Sequence, residues 1–334
     1  MNLAADRGGP RKPAEVRPRG QLFRKYVTLF AAVVAVALVT SGAIDTWFSY
    51  REQRALLIRV QQQQAETAAT RISQYIKEIE NQMGWLTQTP WDSNAVQDWQ
   101  FDSVRLLRQV PAITELARID ATGHEQARVS RIAVDVIGTG SDRSRDPKFV
   151  QAMADKRYYG PIYFRRESEP YMTLAIAGAR REYGVVAAEV NLKFIWDLVS
   201  EMKTGMQGTA FVVDSEGRLI AHRDISLVLR NIDLSHLTYV RAALARGSAA
   251  PEDGTIARNM RGQSVLTASA PVPSLGWMLF IELPVSEAYA PLYASVMRSG
   301  ALLLAALALA VLAGIFLARR MIVPIRVLRD GAAR

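Results

Sequence analysis

The chain has 334 residues, with 41 Lys or Arg against 32 Asp or Glu and no cysteine, which excludes a disulfide-stapled fold and a thiolate metal centre. Its net charge of +9 sits entirely at the ends: residues 1–26 carry +5, residues 299–334 carry +4, and the rest balances 29 basic with 29 acidic side chains. A neutral middle gives phosphates no electrostatic footprint, which argues against nucleic acid as a partner.

Residues 1–26 hold Pro10, Pro13 and Pro18 and five Arg or Lys between Arg7 and Arg19. With so little to bury, this head is expected to be disordered and to touch anionic lipid headgroups. Residues 27–44 and 299–318 are uncharged runs of 18 and 20. At about 1.5 Å per residue each is long enough to cross a hydrocarbon core of about 30 Å as a helix. The first run exceeds a signal-peptide core, and Thr40-Ser41-Gly42-Ala43 is a poor cleavage site, so it reads as an uncleaved anchor. Basic flanks place both ends in the cytoplasm and residues 45–298 in the periplasm of a bacterial inner membrane.

Residues 47–89 contain no proline. Ile58, Gln62, Ala65, Ala69, Ile72, Ile76, Ile79, Met83 and Leu86 alternate at spacings of four and three, one stripe on one helix face. Such a stripe serves equally as intramolecular core or as the seam of a homodimer. The period then shifts to two. Residues 113–119, the turn Asp120-Ala121-Thr122-Gly123 and residues 125–132 read as a hairpin. The pattern returns 94 residues later around Asp214-Ser215-Glu216-Gly217, a weak internal repeat. Further strands are expected at 158–164, 171–177, 184–192, 264–271 and 276–283, with helices near 149–155, 194–202 and 234–245. Gly138-Thr139-Gly140 reads as a loop. The expected class is α+β: two transmembrane helices flank two small antiparallel-sheet modules, one over residues 90–200 and one over 201–298, carried on the long helix.

A long helix leaving a span, two sheet modules with D-x-x-G hairpins, and Gly184-Val185-Val186-Ala187-Ala188-Glu189-Val190-Asn191-Leu192 ahead of a connecting helix resemble double Cache sensor domains, whose modules are PAS-like. The blocks Tyr163 to Thr173 and Ala188 to Asp197 are similar to the inputs of sensor histidine kinases and some cyclases. Residues 319–334, with Pro324 just past the second span, resemble the start of a HAMP helix. The resemblance implies a receptor input that binds a small extracellular ligand and signals to a HAMP-linked output, expected to be a histidine kinase; a cyclase or chemoreceptor input would look the same. No kinase, cyclase or methyl-accepting domain lies in these residues, so the chain is expected to be a fragment or a shortened receptor.

No nucleophile elbow, phosphate loop or H-E-x-x-H occurs, so neither catalytic residues, a cofactor nor a metal is expected. Double Cache domains that bind amino acids or amines carry an R-x-W-[YF] element, a tyrosine on the next strand and an aspartate in a G-V-x-x-x-D strand. By that resemblance Arg145 takes the arginine position, with Pro147 and Lys148 replacing the aromatics. Glu189 replaces the aspartate, Tyr163 lies one residue beyond the expected tyrosine, and Tyr171 is its substitute. Arg165 and Arg166 add guanidinium forks suited to a carboxylate. The expected ligand is an amine, amino acid or carboxylate held in the first module by Arg145, Tyr163, Arg165, Tyr171 and Glu189. The other partners expected are membrane lipid and a second copy of the chain.

Overall fold

The computed structural model describes residues 20–88, 95–165, 169–202, 204–247 and 255–331. Residues 1–19 of the expected disordered head, and Arg166, lie outside them. In chain order the elements are α1 (Gly20–Gly84), α2 (Ala95–Gln109), β1 (Ile113–Ile119), β2 (His124–Ser130), β3 (Val136–Asp142) and α3 (Pro147–Asp155). There follow β4 (Arg157–Arg165), β5 (Glu169–Ala177), β6 (Val185–Asn191), α4 (Lys193–Glu201), β7 (Thr209–Val213), β8 (Leu219–His222) and α5 (Ile225–Leu229). The last are α6 (Thr238–Arg246), β9 (Thr255–Arg258), β10 (Ser264–Val272), β11 (Trp277–Pro284), α7 (Val285–Ala288) and α8 (Ala290–Gly331).

Two compact units divide at residues 53/54 and 290/291. The first unit holds the start of α1 and nearly all of α8. Leu29, Val33 and Val36 on α1 and Leu302, Leu309 and Phe316 on α8 are exposed. Both helices have stretches long and apolar enough to cross a membrane. α1 begins inside the expected head and runs unbroken to Gly84, so the first apolar run and the long helix are one element.

The second unit contains two antiparallel sheets, ordered β3-β2-β1-β6-β5-β4 and β8-β7-β11-β10-β9. One face of each sheet joins a single core with α1: Leu116, Met172, Leu174, Val186 and Val190 from the first sheet, Val212, Ala270, Leu279 and Ile281 from the second. The α1 stripe is spent there, since Ala65, Ala69, Ile72, Ile76, Ile79, Met83 and Leu86 are all buried within the chain. Polar pins fix the helix to both sheets. Gln62 donates to the Ser269 carbonyl at 3.1 Å, and the Ser73 and Ser274 hydroxyls meet at 3.0 Å. Tyr159 donates to Glu80 at 2.5 Å, and Arg157 pairs with Glu80 at 3.2 Å. At the far end of the stripe the buried Arg118 donates to the carbonyls of Leu86 (2.5 Å) and Tyr183 (3.0 Å), and burial lowers its pKa to about 10.

The repeat is physical. In each hairpin turn the aspartate carboxylate accepts from two backbone N–H groups, at 2.8 and 3.0 Å for Asp120 and at 2.8 and 2.9 Å for Asp214. Gly123 and Gly217 sit at φ 93° and 89°, where a side chain would be strained. One expectation fails: Gly138-Thr139-Gly140 is not a loop but the centre of β3, paired with β2 at the sheet edge. Every residue of β3 is exposed, so no apolar alternation could mark it.

Candidate ligand site on the first sheet

The face of the first sheet turned away from α1 carries α3. Three alanines stand in register across it, Ala117 opposite Ala187 and Ala187 opposite Ala175, and these small side chains let Phe149 and Ala152 of α3 pack close to the strands. The next row on the same face is polar: Glu115 opposite Glu189, and Glu189 opposite Thr173. Beyond it Asn191 faces Tyr171, which faces Tyr163.

Four of the five expected residues meet there. Glu189 accepts from the Tyr163 hydroxyl and from Thr173 Oγ1 at 3.0 and 3.1 Å. Burial and then the bond to Glu189 push the Tyr163 phenol well above its usual range. The Tyr163 and Tyr171 rings stack with centroids 6.1 Å apart. Arg165 lies over both, 4.9 Å from the Tyr171 centroid and 5.7 Å from that of Tyr163. Tyr171 donates to Glu169 at 2.9 Å; burial, then this bond, raises its phenol too.

The extra residue that should have turned Tyr163 to the opposite face is absorbed by a β-bulge. Between Tyr159 and Ile162, β4 advances three residues while β5 advances two, at Gly160-Pro161, which returns Tyr163 to the face of Glu189. Arg145 is the exception. It is exposed in the loop before α3, beside Asp142, whose carboxyl is held low first by hydrogen bonds from Ser144. Among the described residues no contact joins it to the other four. Asp142, Arg143, Arg145, Asp146 and Pro147 line a shallow cavity of about 400 Å³ there.

Residues not foreseen complete the face. Thr173 and Asn191 were available from period-two alternation with Tyr171 and Glu189. Glu125, Arg128 and Arg143 were not, because their link is across strands and a loop. Arg128 grips Glu125 with a bidentate fork, 2.8 Å at Nε and 2.8 Å at Nη2, while Arg143 Nε reaches the same carboxylate at 3.1 Å. Burial works against the Glu125 charge, but the two guanidiniums outweigh it and hold the carboxyl below its ordinary value. Arg128 also stands 3.7 Å from Glu115 and feels Glu189 at longer range. Glu189 itself has no ion-pair partner among the described residues. The three histidines serve local structure: His124 meets the Thr122 hydroxyl, His222 accepts from the Asp224 N–H at 2.8 Å, and His236 contacts the Asp233 carbonyl.

A Cache domain family model matches residues 49–292. No curated protein matches the chain. Among solved structures, the chain is similar to the ligand-binding domain of the Campylobacter jejuni chemoreceptor Tlp3 in complex with 4-methylisoleucine, at 12% identity and TM-score 0.56, covering 72% of this chain and 95% of that one. It is similar to the extracellular domain of the putative histidine kinase soHK1S-Z6, at 17% identity and TM-score 0.54, with 73% and 99% covered. It is also similar to the ligand-binding domain of the Pseudomonas aeruginosa amino acid chemoreceptor PctB in complex with L-Gln, at 21% identity and TM-score 0.51, with 72% and 97% covered. At these identities the likeness establishes the fold.

Proposed function

The chain belongs to the Cache domain family, and from that premise we propose that it is the input of a transmembrane receptor that binds a small amine or amino acid on the first sheet. The observation that carries this reading is Glu189: a half-buried acid held by two hydroxyl donors, with no ion-pair partner among the described residues. A carboxylate taken from water needs a compensating partner, and a ligand ammonium supplies it. Arg165, laid over two tyrosine rings, is placed to receive the carboxylate of an amino acid. That structures of similar fold were solved with 4-methylisoleucine and with L-Gln supports the same ligand class. Arg145, exposed in its loop, takes a peripheral part in this reading.

The rest of the proposal follows from charge and hydropathy. The neutral middle faces the periplasm, both basic ends face the cytoplasm, lipid surrounds the two apolar helices, and the receptor works as a homodimer with a HAMP-linked histidine kinase as output. With the apolar stripe of α1 buried, pairing through this helix uses its exposed face, so cysteines at Thr70 or Gln74 crosslink where Ile72 and Ile76 do not. Reporter fusions at Gly217 report the periplasm; a cytoplasmic signal there overturns the topology.

The ligand class is tested by thermal shift of the full chain in lipid nanodiscs against primary amines, amino acids and amine-free carboxylates. Amines and amino acids are expected to stabilise it, and Glu189→Ala to erase the effect. Arg165→Ala should cost amino acids more than amines. Stabilisation that survives Glu189→Ala unchanged rejects the site.

A further inference from the structure

β4 forms one edge of the first sheet and is hydrogen-bonded to β5 alone. Before the bulge at Gly160-Pro161 its odd-numbered residues face α1: Arg157 stands opposite Ile176 and Tyr159 opposite Leu174, and Tyr159, Leu174 and Ile176 pack in the core shared with that helix. After the bulge the odd-numbered residues face away: Tyr163 stands opposite Tyr171 and Arg165 opposite Glu169, while Ile162 takes the α1 side opposite Met172. One strand therefore reaches α1 with its first half and the Glu189 row with its second. The second sheet is built differently. It keeps the acid, with Phe211 facing Phe280 and Thr209 facing Glu282 as Ala117 faces Ala187 and Glu115 faces Glu189, but the phenol that donates to Glu282 is Tyr239 of α6.

Both halves of β4 are tied. On the α1 side Glu80, whose side chain is 5% exposed, accepts from the Tyr159 hydroxyl at 2.5 Å and pairs with Arg157 at 3.2 Å. Stripping a buried carboxylate of such partners is strongly destabilising, so this clasp resists breaking. On the other side Tyr163 donates to Glu189. The joint itself touches the same row: a methyl group on Gly160 would lie 3.2 Å from Thr173 Cβ, and Thr173 is the second donor to Glu189. We propose that β4 is a lever that couples the Glu189 row to α1, bending at Gly160-Pro161 and pulling on Glu80. The proposal rests on the ligand reading above and adds how occupancy leaves the site. An amino acid bound between Glu189 on β6 and Arg165 on β4 draws this edge of the sheet inward, and the clasp carries the displacement to the helix that also contains the first apolar run. Tyr159 keeps its proton for this task, since burial and then the Glu80 bond push its phenol up to about 12.

The test is amide hydrogen exchange of the full chain in lipid nanodiscs, read over residues 76–84 of α1 with β11 as internal reference. Tyr163→Phe removes the bond at the ligand end and alters nothing on α1. It is expected to speed exchange over residues 76–84 by about fivefold or more relative to β11, the low end of coupling between sites. With the clasp already broken by Tyr159→Phe, adding Tyr163→Phe should change nothing further. Arg157→Gln breaks the other half of the clasp at a side chain 58% exposed, with less risk to folding, and should give the same non-additivity. n-Butylamine is the ligand probe: it should slow exchange over residues 76–84 in the parent, and in Tyr159→Phe bind without doing so. Unchanged exchange in Tyr163→Phe, or an equal effect of Tyr163→Phe with and without the clasp, overturns the lever. Failure of n-butylamine and of amino acids to bind the parent rejects the ligand reading instead, and the Tyr163→Phe comparison, which uses no ligand, still decides the lever.

Discussion

At matching positions the first sheet carries Ala117 and Ala187, and the second carries Phe211 and Phe280, whose rings stack 5.2 Å apart. The consequences spread outward from that exchange. The two phenylalanines anchor an apolar layer with Leu219, Met278, Leu234 and Val240 under α5 and α6, and Tyr239 packs edge-on to Phe280 at 5.7 Å. The first sheet has only a thin layer under α3, and its neighbouring row of Glu115, Glu189 and Thr173 remains half-buried. One architecture therefore supplies a module with a thick apolar layer under its helices and a module whose polar row stands half-buried. The acid is kept in both and its environment is not.

The largest effect expected from breaking this comparison is on stability. Phe280→Ala removes a fully buried ring from the filled layer and should cost about 3–5 kcal/mol in urea unfolding. A loss below about 1 kcal/mol would mean the layer has collapsed onto the gap. The reciprocal change, Ala187→Phe, forces a ring between α3 and the first sheet. It should destabilise by about 1–3 kcal/mol through overpacking and remove amine binding by displacing the helix from the Glu189 row. Retained binding with unchanged stability would show that the alanine row does not set the site.

Two acids sharpen the comparison through pH. Burial holds the Glu282 carboxyl above its ordinary 4.5, so the folded chain keeps a proton the unfolded chain releases. Its contribution is full below pH 4.5 and is lost as pH rises through the raised folded value. Glu125 is opposite: Arg128 and Arg143 outweigh its burial and hold it low, so its contribution is present above pH 4.5 and lost as pH falls through the lowered value. Melting temperature against pH should therefore flatten on the neutral side in Glu282→Gln and on the acid side in Glu125→Gln. The same change in both variants would contradict the assignment. The smallest expected effect is that of Arg165→Ala, about 0.5–1 kcal/mol of unfolding free energy for a half-exposed cation over tyrosine rings.

How much of this was legible depends on what each element buries. β1, β6, β10 and β11 alternate or run apolar because one or both faces are covered, and the sequence marks them within a residue or two. β3 has no covered face and left no mark. The α1 stripe announced a buried face without saying what buries it; two sheets, rather than a second chain, do so within this chain. Tyr163, Tyr171 and Glu189 could be named by resemblance to the double Cache pattern, and Arg165 by its guanidinium fork. That Tyr163 faces Glu189 could not, because it depends on a bulge at Gly160-Pro161 that only pairing reveals. The exchange of Ala117 for Phe211 was written in the chain, yet it acquires meaning only once register places Ala187 and Phe280 opposite them.

The central claim is that the acid of the first sheet, and not its counterpart in the second, receives a ligand amine. Calorimetric titration of the full chain with an amine or amino acid that stabilises it, repeated on Glu189→Gln and Glu282→Gln, tests this most directly. Glu189→Gln, which keeps the shape and removes the charge, should weaken binding by about thirtyfold or more, while Glu282→Gln leaves the affinity of the parent. Equal affinities for parent and Glu189→Gln, or a loss confined to Glu282→Gln, would contradict the account.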